Sequence, residues 1–179
     1  MPYYYSPLRH GYEEKTAPKP KPDCPFCTTE IENQTFRDHQ DTLFENEHYR
    51  WVANWFPRAE AHTMLVPKRH LTQLVDETDT EILARHNLLL ECYQVLQTAF
   101  PDSGVEVFLQ TGKGSLSSLP HLHWHVIPTL PQHSLTGFEK IGYFSTTEPA
   151  KEKVVMTPIE ITIARDQLLE LITKTTAQM

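Results

Sequence analysis

Three histidines alternate with apolar residues over residues 121–128, which read His-Leu-His-Trp-His-Val-Ile-Pro. This alternation is typical of a β-strand, because successive side chains of a strand point to opposite faces. We therefore predict a strand that begins at His121 and presents His121, His123 and His125 on one face, with the intervening apolar residues on the other. Three neighbouring imidazoles can bind a metal ion, transfer protons or attack phosphorus.

Other stretches predict strands that can pair with this one. Residues 42–54 indicate two strands joined by a polar turn, and residues 62–66 indicate a strand that ends at Pro67, because proline cannot donate to a strand ladder. Residues 105–109 alternate again, and a loop rich in glycine and serine at 111–118 follows them. A strand, a glycine loop and a second strand favour an antiparallel pair.

The strongest helical pattern follows Thr78, which forms a capping-box pattern with Glu81. Residues that recur at steps of three and four then predict a helix ending near Pro101, with this stripe on one side: Ile82, His86, Leu89, Tyr93, Leu96 and Phe100. In the C-terminal part we predict short strands at 141–144 and 154–156 and an amphipathic helix at 163–175. Helices and strands in this order indicate an α+β fold.

Charge and composition exclude several classes of protein. The net charge of −7 argues against bulk electrostatic binding to nucleic acid. Apolar runs are far shorter than the roughly 20 residues that a membrane-spanning helix needs, so no membrane partner is expected. The N-terminus lacks a basic and then apolar signal pattern, which leads us to expect a cytoplasmic protein.

The domain organisation follows from length and from the position of the prolines. Five prolines between residues 1 and 23 predict an extended arm, because proline interrupts both helices and central strands. The remaining residues, 24–179, are of single-domain size, and we divide them into a core at 24–130 and a C-terminal extension at 131–179.

Two cysteines stand immediately after the arm, in the sequence Cys24-Pro25-Phe26-Cys27. This spacing allows both thiolates to face one tetrahedral metal ion. The same spacing also occurs in redox pairs, so the pair alone leaves both chemistries open.

The histidine stretch resembles the signature of the histidine triad (HIT) superfamily of nucleotide hydrolases and transferases, in which three histidines alternate with apolar residues. The resemblance covers about residues 24–130, with Asn54 eight residues before His62 and Gln110 eleven residues before His121. It implies a HIT-like antiparallel sheet with a long helix, to which this chain adds the C-terminal helix.

The resemblance also implies catalytic roles for three residues. His123 would attack the α-phosphorus of a nucleotide and form a covalent nucleotidyl-imidazole, from which a nucleoside monophosphate is released. His125 would contact the phosphate oxygens or the leaving group, and the hydroxyl of Ser118 would assist that leaving group.

Three further positions match the nucleotide-binding residues of the superfamily. Gln110 would reach the phosphate, Asn54 would bind the ribose hydroxyls, and His62 would lie behind the triad. The loop departs from the usual pattern, because Leu116 and Ser117 stand where many members have a Gly-Gln pair.

Some members, and the related galactose-1-phosphate uridylyltransferases, bind zinc through a Cys-x-x-Cys pair, a histidine after the Val-Pro strand and the first triad histidine. The matching residues here are Cys24, Cys27, His70 and His121. The resemblance thus implies a structural Zn²⁺ with two sulfur and two nitrogen ligands and no open position for substrate. His123 would remain available for phosphorus.

Several functions remain open at this stage. The uridylyltransferases carry glutamine at the third triad position, where this chain has His125, which favours a hydrolase over a nucleotidyl transferase. Candidate substrates are dinucleoside polyphosphates, nucleoside phosphoramidates and acyl or sulfuryl adenylates. The alternatives are a zinc-stabilised nucleotide-binding or interaction module with little turnover, and hydrolysis by a metal ion held on the triad.

The resemblance also bears on oligomeric state, because members of the superfamily commonly form two-fold dimers through the long helix. The apolar helix residues Ile82, Leu89, Tyr93 and Leu96 are compatible with such a homodimer and equally with burial inside one subunit.

Overall fold

Five strands form one antiparallel sheet. The computed structural model describes residues 24, 26–27, 42–54, 61–112, 117, 119–129, 166–170 and 173. The strands are, in chain order, β1 (Thr42–Glu45), β2 (Tyr49–Ala53), β3 (Thr63–Pro67), β4 (Gly104–Leu109) and β5 (Trp124–Thr129). Their spatial order is β1-β2-β3-β5-β4, so β1 and β4 are the edge strands of the sheet that the described residues form. The predicted α+β class and antiparallel sheet are confirmed.

The first two strands form the predicted hairpin, and a side chain closes its turn. Asn46 Oδ1 accepts hydrogen bonds from the backbone nitrogens of His48 and Tyr49, at 3.0 and 2.8 Å. Asparagine stabilises turns in this way because its short side chain imitates a backbone carbonyl. Asn46 Nδ2 also donates to the carbonyl of Ala84 at 2.8 Å, which ties the turn to the long helix.

The histidine strand begins later than the alternation predicts. β5 starts at Trp124, whereas His121, Leu122 and His123 precede it. The nitrogen of Leu122 donates to the carbonyl of Leu71 at 2.7 Å, so the chain at this point pairs with a loop rather than with a neighbouring strand. The predicted start at His121 is therefore wrong, although the alternation of faces continues through these residues.

The long helix α1 (Asp79–Ala99) has the predicted capping box, with Thr78 as N-cap and Glu81 as its partner. A short 3₁₀ helix, Leu74–Asp76, precedes it. The buried residues of α1 are Glu81, Leu88, Cys92 and Leu96, and among the predicted stripe Ile82 and Tyr93 are 42% and 48% exposed. That stripe therefore coincides with the core face only in part: Leu96 is buried, and Leu89 and Phe100 are half-buried against the core. Adjacent leucines give α1 apolar residues on two neighbouring faces, and local spacing does not select between them.

The two faces of the sheet have different neighbours. On one face, α1 packs against β2, β3 and β4, and the core there includes Trp51, Leu65, Leu122, Trp124 and Val126. The apolar residues between the triad histidines thus lie on the predicted face.

On the opposite face, a smaller buried cluster consists of Phe26, Val52, Met64 and Val66. The triad histidines lie on this second face, where Phe26 contacts the rings of two of them.

Some predictions fall partly or wholly outside the described residues. The arm at 1–23 and the short strands at 141–144 and 154–156 lie outside them. Residues 166–170 and 173 are helical, inside the helix predicted at 163–175, and Leu168 belongs to the core on the helix side. Among the described helices, none has the length and apolar character required to cross a membrane.

The carboxylate of Glu81 is a stability element that the structure makes testable. It accepts two hydrogen bonds from Arg69, at 2.8 and 2.7 Å, and one from the nitrogen of Thr78 at 2.8 Å. The side chain is 6% exposed. These bonds, those from Arg69 foremost, lower the pKa of Glu81 from 4.5 to about 2.

We expect Glu81→Gln to lower the free energy of unfolding by about 1 to 3 kcal/mol at pH 7, measured by urea denaturation. Because the folded-state pKa is depressed, the carboxylate stabilises fully above pH 4.5 and loses its effect as the pH falls toward about 2. The difference in free energy of unfolding between the native chain and the variant should therefore shrink as the pH falls from 4.5 to about 2. Glu91→Gln, an exposed position on the same helix, serves as the control. A deficit that is independent of pH would contradict the assignment.

Candidate functional site

His123 lies immediately before β5 and is 5% exposed. Its Nδ1 is 2.9 Å from the carbonyl oxygen of His121. A carbonyl oxygen only accepts hydrogen bonds, so Nδ1 carries the hydrogen and the lone pair of the neutral ring is on Nε2. An imidazole held in this tautomer can act as a nucleophile through Nε2.

Three rings among the described residues lie around His125. Phe108, its direct neighbour across the β4–β5 ladder, stacks on it with ring centroids 4.6 Å apart and planes 24° apart. The rings of His123 and His62 each lie 5.0 Å away. Nδ1 of His125 is 2.8 Å from Nε2 of His62. The second and third triad histidines are therefore neighbours, and the third is bonded to a histidine that precedes β3.

Asn54 and His62 lie side by side at the ends of β2 and β3. The backbone nitrogen of Asn54 donates to the carbonyl of His62 at 3.1 Å, which extends the ladder by one bond. The side-chain nitrogen Nδ2 of Asn54 lies 3.1 Å from Nε2 of His62. Both residues are buried, at 8% and 3% exposure. Asn54 and His125 thus both contact the same atom, Nε2 of His62.

The remaining predicted site residues lie at the edge of this arrangement. Gln110 directly follows β4 and is half-buried, two residues beyond Phe108. Gly112 has a φ of 78°, a conformation that glycine adopts without steric cost, so the chain turns sharply after Gln110. Ser118 lies outside the described residues.

A second cluster of donors lies next to the triad. One donor atom each from Cys24, Cys27, His70 and His121 lie within 4.8 Å of one another. The sulfur atoms of Cys24 and Cys27 are both 3.2 Å from Nδ1 of His121, and the sulfur of Cys27 is 3.2 Å from Nδ1 of His70. Two thiols and two imidazoles converging on one point could hold a metal ion.

The tautomer of His121 fits metal binding. Its Nε2 lies 3.0 Å from the carbonyl oxygen of Pro67, so Nε2 carries the hydrogen and the lone pair on Nδ1 faces the two sulfur atoms. Burial lowers the pKa of His121 to about 4, which keeps the ring neutral at pH 7. Partial burial and the adjacent Cys24 raise the pKa of Cys27 to about 12. The Cys27 thiol would ionise near pH 7 only beside a compensating cation, which a metal ion provides.

Two residues that the sequence reasoning missed hold this cluster in place. Phe26 stands between the cysteines, and its ring lies 5.5 Å from the rings of both His121 and His123. Arg50, 5% exposed on β2, donates through a terminal nitrogen to the carbonyl of Phe26 at 2.7 Å. The sequence did contain a signal for Arg50, because it is the one charged residue within the strand Tyr49–Ala53.

The segment that carries His70 is anchored by its neighbours. Arg69, beside His70, binds the carboxylate of Glu81 and donates to the carbonyl of Asp76 at 2.7 Å. The nitrogen of Lys68 donates to the carbonyl of His48 at 2.8 Å. These bonds hold the backbone next to His70 in place, although the side chain of His70 is exposed.

Comparison with known proteins identifies relatives of this chain. A family model described as "HIT domain" matches residues 36–132, more than half of the chain. An uncharacterised HIT-like protein of Chlamydia muridarum is 30% identical over 91 residues, which cover 49% of this chain and 69% of that protein. The asymmetrical bis(5'-nucleosyl)-tetraphosphatase of Schizosaccharomyces pombe is 28% identical over 76 residues, 42% of each chain.

A solved structure has the same fold. The crystal structure of a zinc-bound histidine triad family protein from Mycobacterium smegmatis superposes with a TM-score of 0.51 at 17% identity. The match covers 77% of this chain and 87% of that one. The likeness at this identity establishes a common fold.

Proposed function

This chain belongs to the HIT domain family, and from that membership we propose that it is a nucleotide phosphohydrolase that releases a nucleoside monophosphate. The observation that carries the proposal is the hydrogen bond from Nδ1 of His123 to the carbonyl of His121. It leaves the lone pair on Nε2, as a nucleophile requires. The name of the S. pombe relative supports a dinucleoside polyphosphate substrate, and a nucleoside phosphoramidate offers the same α-phosphorus.

The reaction proposed has two displacement steps. Nε2 of His123 attacks the α-phosphorus, a phosphorus–nitrogen bond forms, and the bond to the leaving group breaks with its electron pair. Water then attacks the same phosphorus and releases a proton, and the electron pair of the phosphorus–nitrogen bond returns to Nε2. In this scheme Asn54 binds ribose and Gln110 binds phosphate. Ser118 assists departure of the leaving group, and His125 contacts the phosphate oxygens or the leaving group.

We expect rapid-quench intact-mass analysis with an adenosine phosphoramidate to detect a transient adenylyl adduct on the native chain. His123→Gly should lack the adduct and lose turnover by at least about 10³-fold, because the nucleophile is absent. His86→Ala, an exposed histidine on α1, is the matched control and should retain both.

Two outcomes would redirect this proposal. Absence of adduct and of released monophosphate in a folded, metal-loaded native protein would favour the nucleotide-binding module with little turnover. An adduct that is resolved by an alcohol or phosphate acceptor much faster than by water would identify a nucleotidyl transferase.

The proposal includes a structural Zn²⁺ held by Cys24, Cys27, His70 and His121, whose donor atoms lie within 4.8 Å of one another. When bound, the ion would supply a rigid cross-link with no open coordination position. Thiol ligands of this kind are retained in a reducing compartment, which agrees with the predicted cytoplasmic location.

We expect about one zinc ion per chain in the native protein, measured by elemental mass spectrometry. Cys24→Ser and His70→Ala should lose the ion and lower the melting temperature, because a structural metal contributes directly to folding. Cys92→Ala and His86→Ala remove the same residue types outside the cluster and should keep it. Unchanged zinc content in Cys24→Ser would refute the ligand set.

A homodimer is a further part of the proposal. The described residues of α1 and of edge strand β4 include exposed apolar side chains at Ile82, Leu83, Leu90, Tyr93 and Val107, with exposures of 42% to 60%. Exposed apolar residues grouped on one helix and a sheet edge are typical of an interface between copies.

We expect light scattering after size exclusion to give about twice the chain mass of 20.8 kDa. Leu83→Lys should shift the protein toward the monomer, because a buried unpaired charge destabilises an interface. Val75→Lys, at the 85% exposed apolar residue of the 3₁₀ helix, is the control. A native monomer would contradict this part of the proposal.

A further inference from the structure

Phe108 is a further residue of the site that has no role in the proposed function so far. It lies on β4 directly opposite His125, and the two rings stack at 4.6 Å with planes 24° apart. The rings of His62 and His123, also among the described residues, are inclined to His125, with interplanar angles of 52° and 75°. Phe108 therefore covers a face of the imidazole, while His62 meets its Nδ1 edge.

The two contacts that meet at Nε2 of His62 determine the tautomer of His125. The amide nitrogen Nδ2 of Asn54 only donates, so Nε2 of His62, 3.1 Å away, presents its lone pair. Nδ1 of His125 lies 2.8 Å from the same nitrogen, so a hydrogen on Nδ1 makes His125 the closer of two donors that share this one lone pair. In the neutral ring, the lone pair of His125 is consequently on Nε2.

We propose that Phe108 is a positioning residue that keeps His125 in this single orientation and tautomer. The χ2 torsion of histidine has a broad, two-fold profile, so a hydrogen bond at one edge leaves the ring able to twist. A stacked aromatic ring opposes that twist over a whole face, which an aliphatic side chain of similar volume does not. The hydrogen bond to His62 determines which of its two flipped orientations the His125 ring adopts. The stacked ring of Phe108 restricts rotation of the His125 ring plane.

The consequence for chemistry rests on the proposed function. In the second step, water attacks the nucleotidyl-His123 intermediate and must lose a proton. Nε2 of His125 has the lone pair to accept it: the water oxygen bonds to phosphorus, the phosphorus–nitrogen bond breaks toward His123, and the proton moves to His125. A twisted or inverted His125 ring would turn that lone pair away from the water.

The test compares Phe108→Leu with Phe108→Tyr, which keeps the stacked ring, and with Phe44→Leu. Phe44 is the matched control, because it also lies on an edge strand and stacks on an aromatic partner, Trp51, at 6.0 Å and 16°. Histidine tautomers are identified from long-range nitrogen–proton NMR correlations, measured on chains labelled with ¹⁵N-histidine. The His125 signals are assigned by their loss in His125→Gln.

In the native chain, Phe44→Leu and Phe108→Tyr, we expect one His125 tautomer with its hydrogen on Nδ1. In Phe108→Leu the two nitrogen signals should move toward each other or broaden, because the ring samples more than one state. The kcat for hydrolysis should fall by about 3- to 30-fold with KM within about 2-fold, and Phe108→Tyr should restore it.

The outcomes separate this inference from the proposed function. A native His125 spectrum and native kcat in Phe108→Leu, or a hydrogen on Nε2 of His125 in the native chain, would overturn the positioning role. An altered spectrum in Phe108→Leu, together with a native chain that forms no adduct and releases no monophosphate, would support the positioning role and overturn the hydrolase. Native-like circular dichroism in both Phe108 variants establishes that the comparison is between folded chains.

Discussion

Hydrogen bonds from imidazole nitrogens to backbone carbonyls decide which nitrogen carries a lone pair in the first two triad histidines. His121 bonds the carbonyl of Pro67 through Nε2, so its Nδ1 faces the thiols, whereas His123 bonds the carbonyl of His121 through Nδ1, so its lone pair is on Nε2. His121 thus serves both sites: its ring belongs to the cysteine cluster and its carbonyl orients the candidate nucleophile. A metal ion bound at the cluster would therefore stiffen the residue on which the tautomer of His123 depends.

The interactions that hold this junction come from residues with no chemistry of their own. Arg50 bonds the backbone between the two cysteines, and the Arg69–Glu81 pair fixes the chain next to His70. Glu81 also completes the capping box of α1, so one carboxylate joins the start of the helix to the segment of the cysteine cluster. A partly buried ion pair of this kind is maintained by its several hydrogen bonds, because they offset the loss of hydration.

Local periodicity predicted most elements but located some of them inaccurately. The hairpin, the capping box and the strand at Gly104–Leu109 depend on residues close together in the chain, and they were predicted where they occur. The start of β5 was misplaced because pairing with Leu71, 51 residues earlier, draws Leu122 out of the sheet. The helix stripe was misplaced because only contact with β2, β3 and β4 selects which apolar face is buried.

The sequence by itself determined the alternation of faces at residues 121–128, since a strand period is a property of adjacent residues. It also carried the family signature, and the resemblance, not the periodicity, indicated which cysteines and histidines act together. Only the tertiary structure decided the contacts that complete the site. His62 meets His125 across 63 residues, and Phe108 covers His125 because β4 and β5 pair in one register. Such contacts depend on the distances between paired strands, which no local pattern encodes.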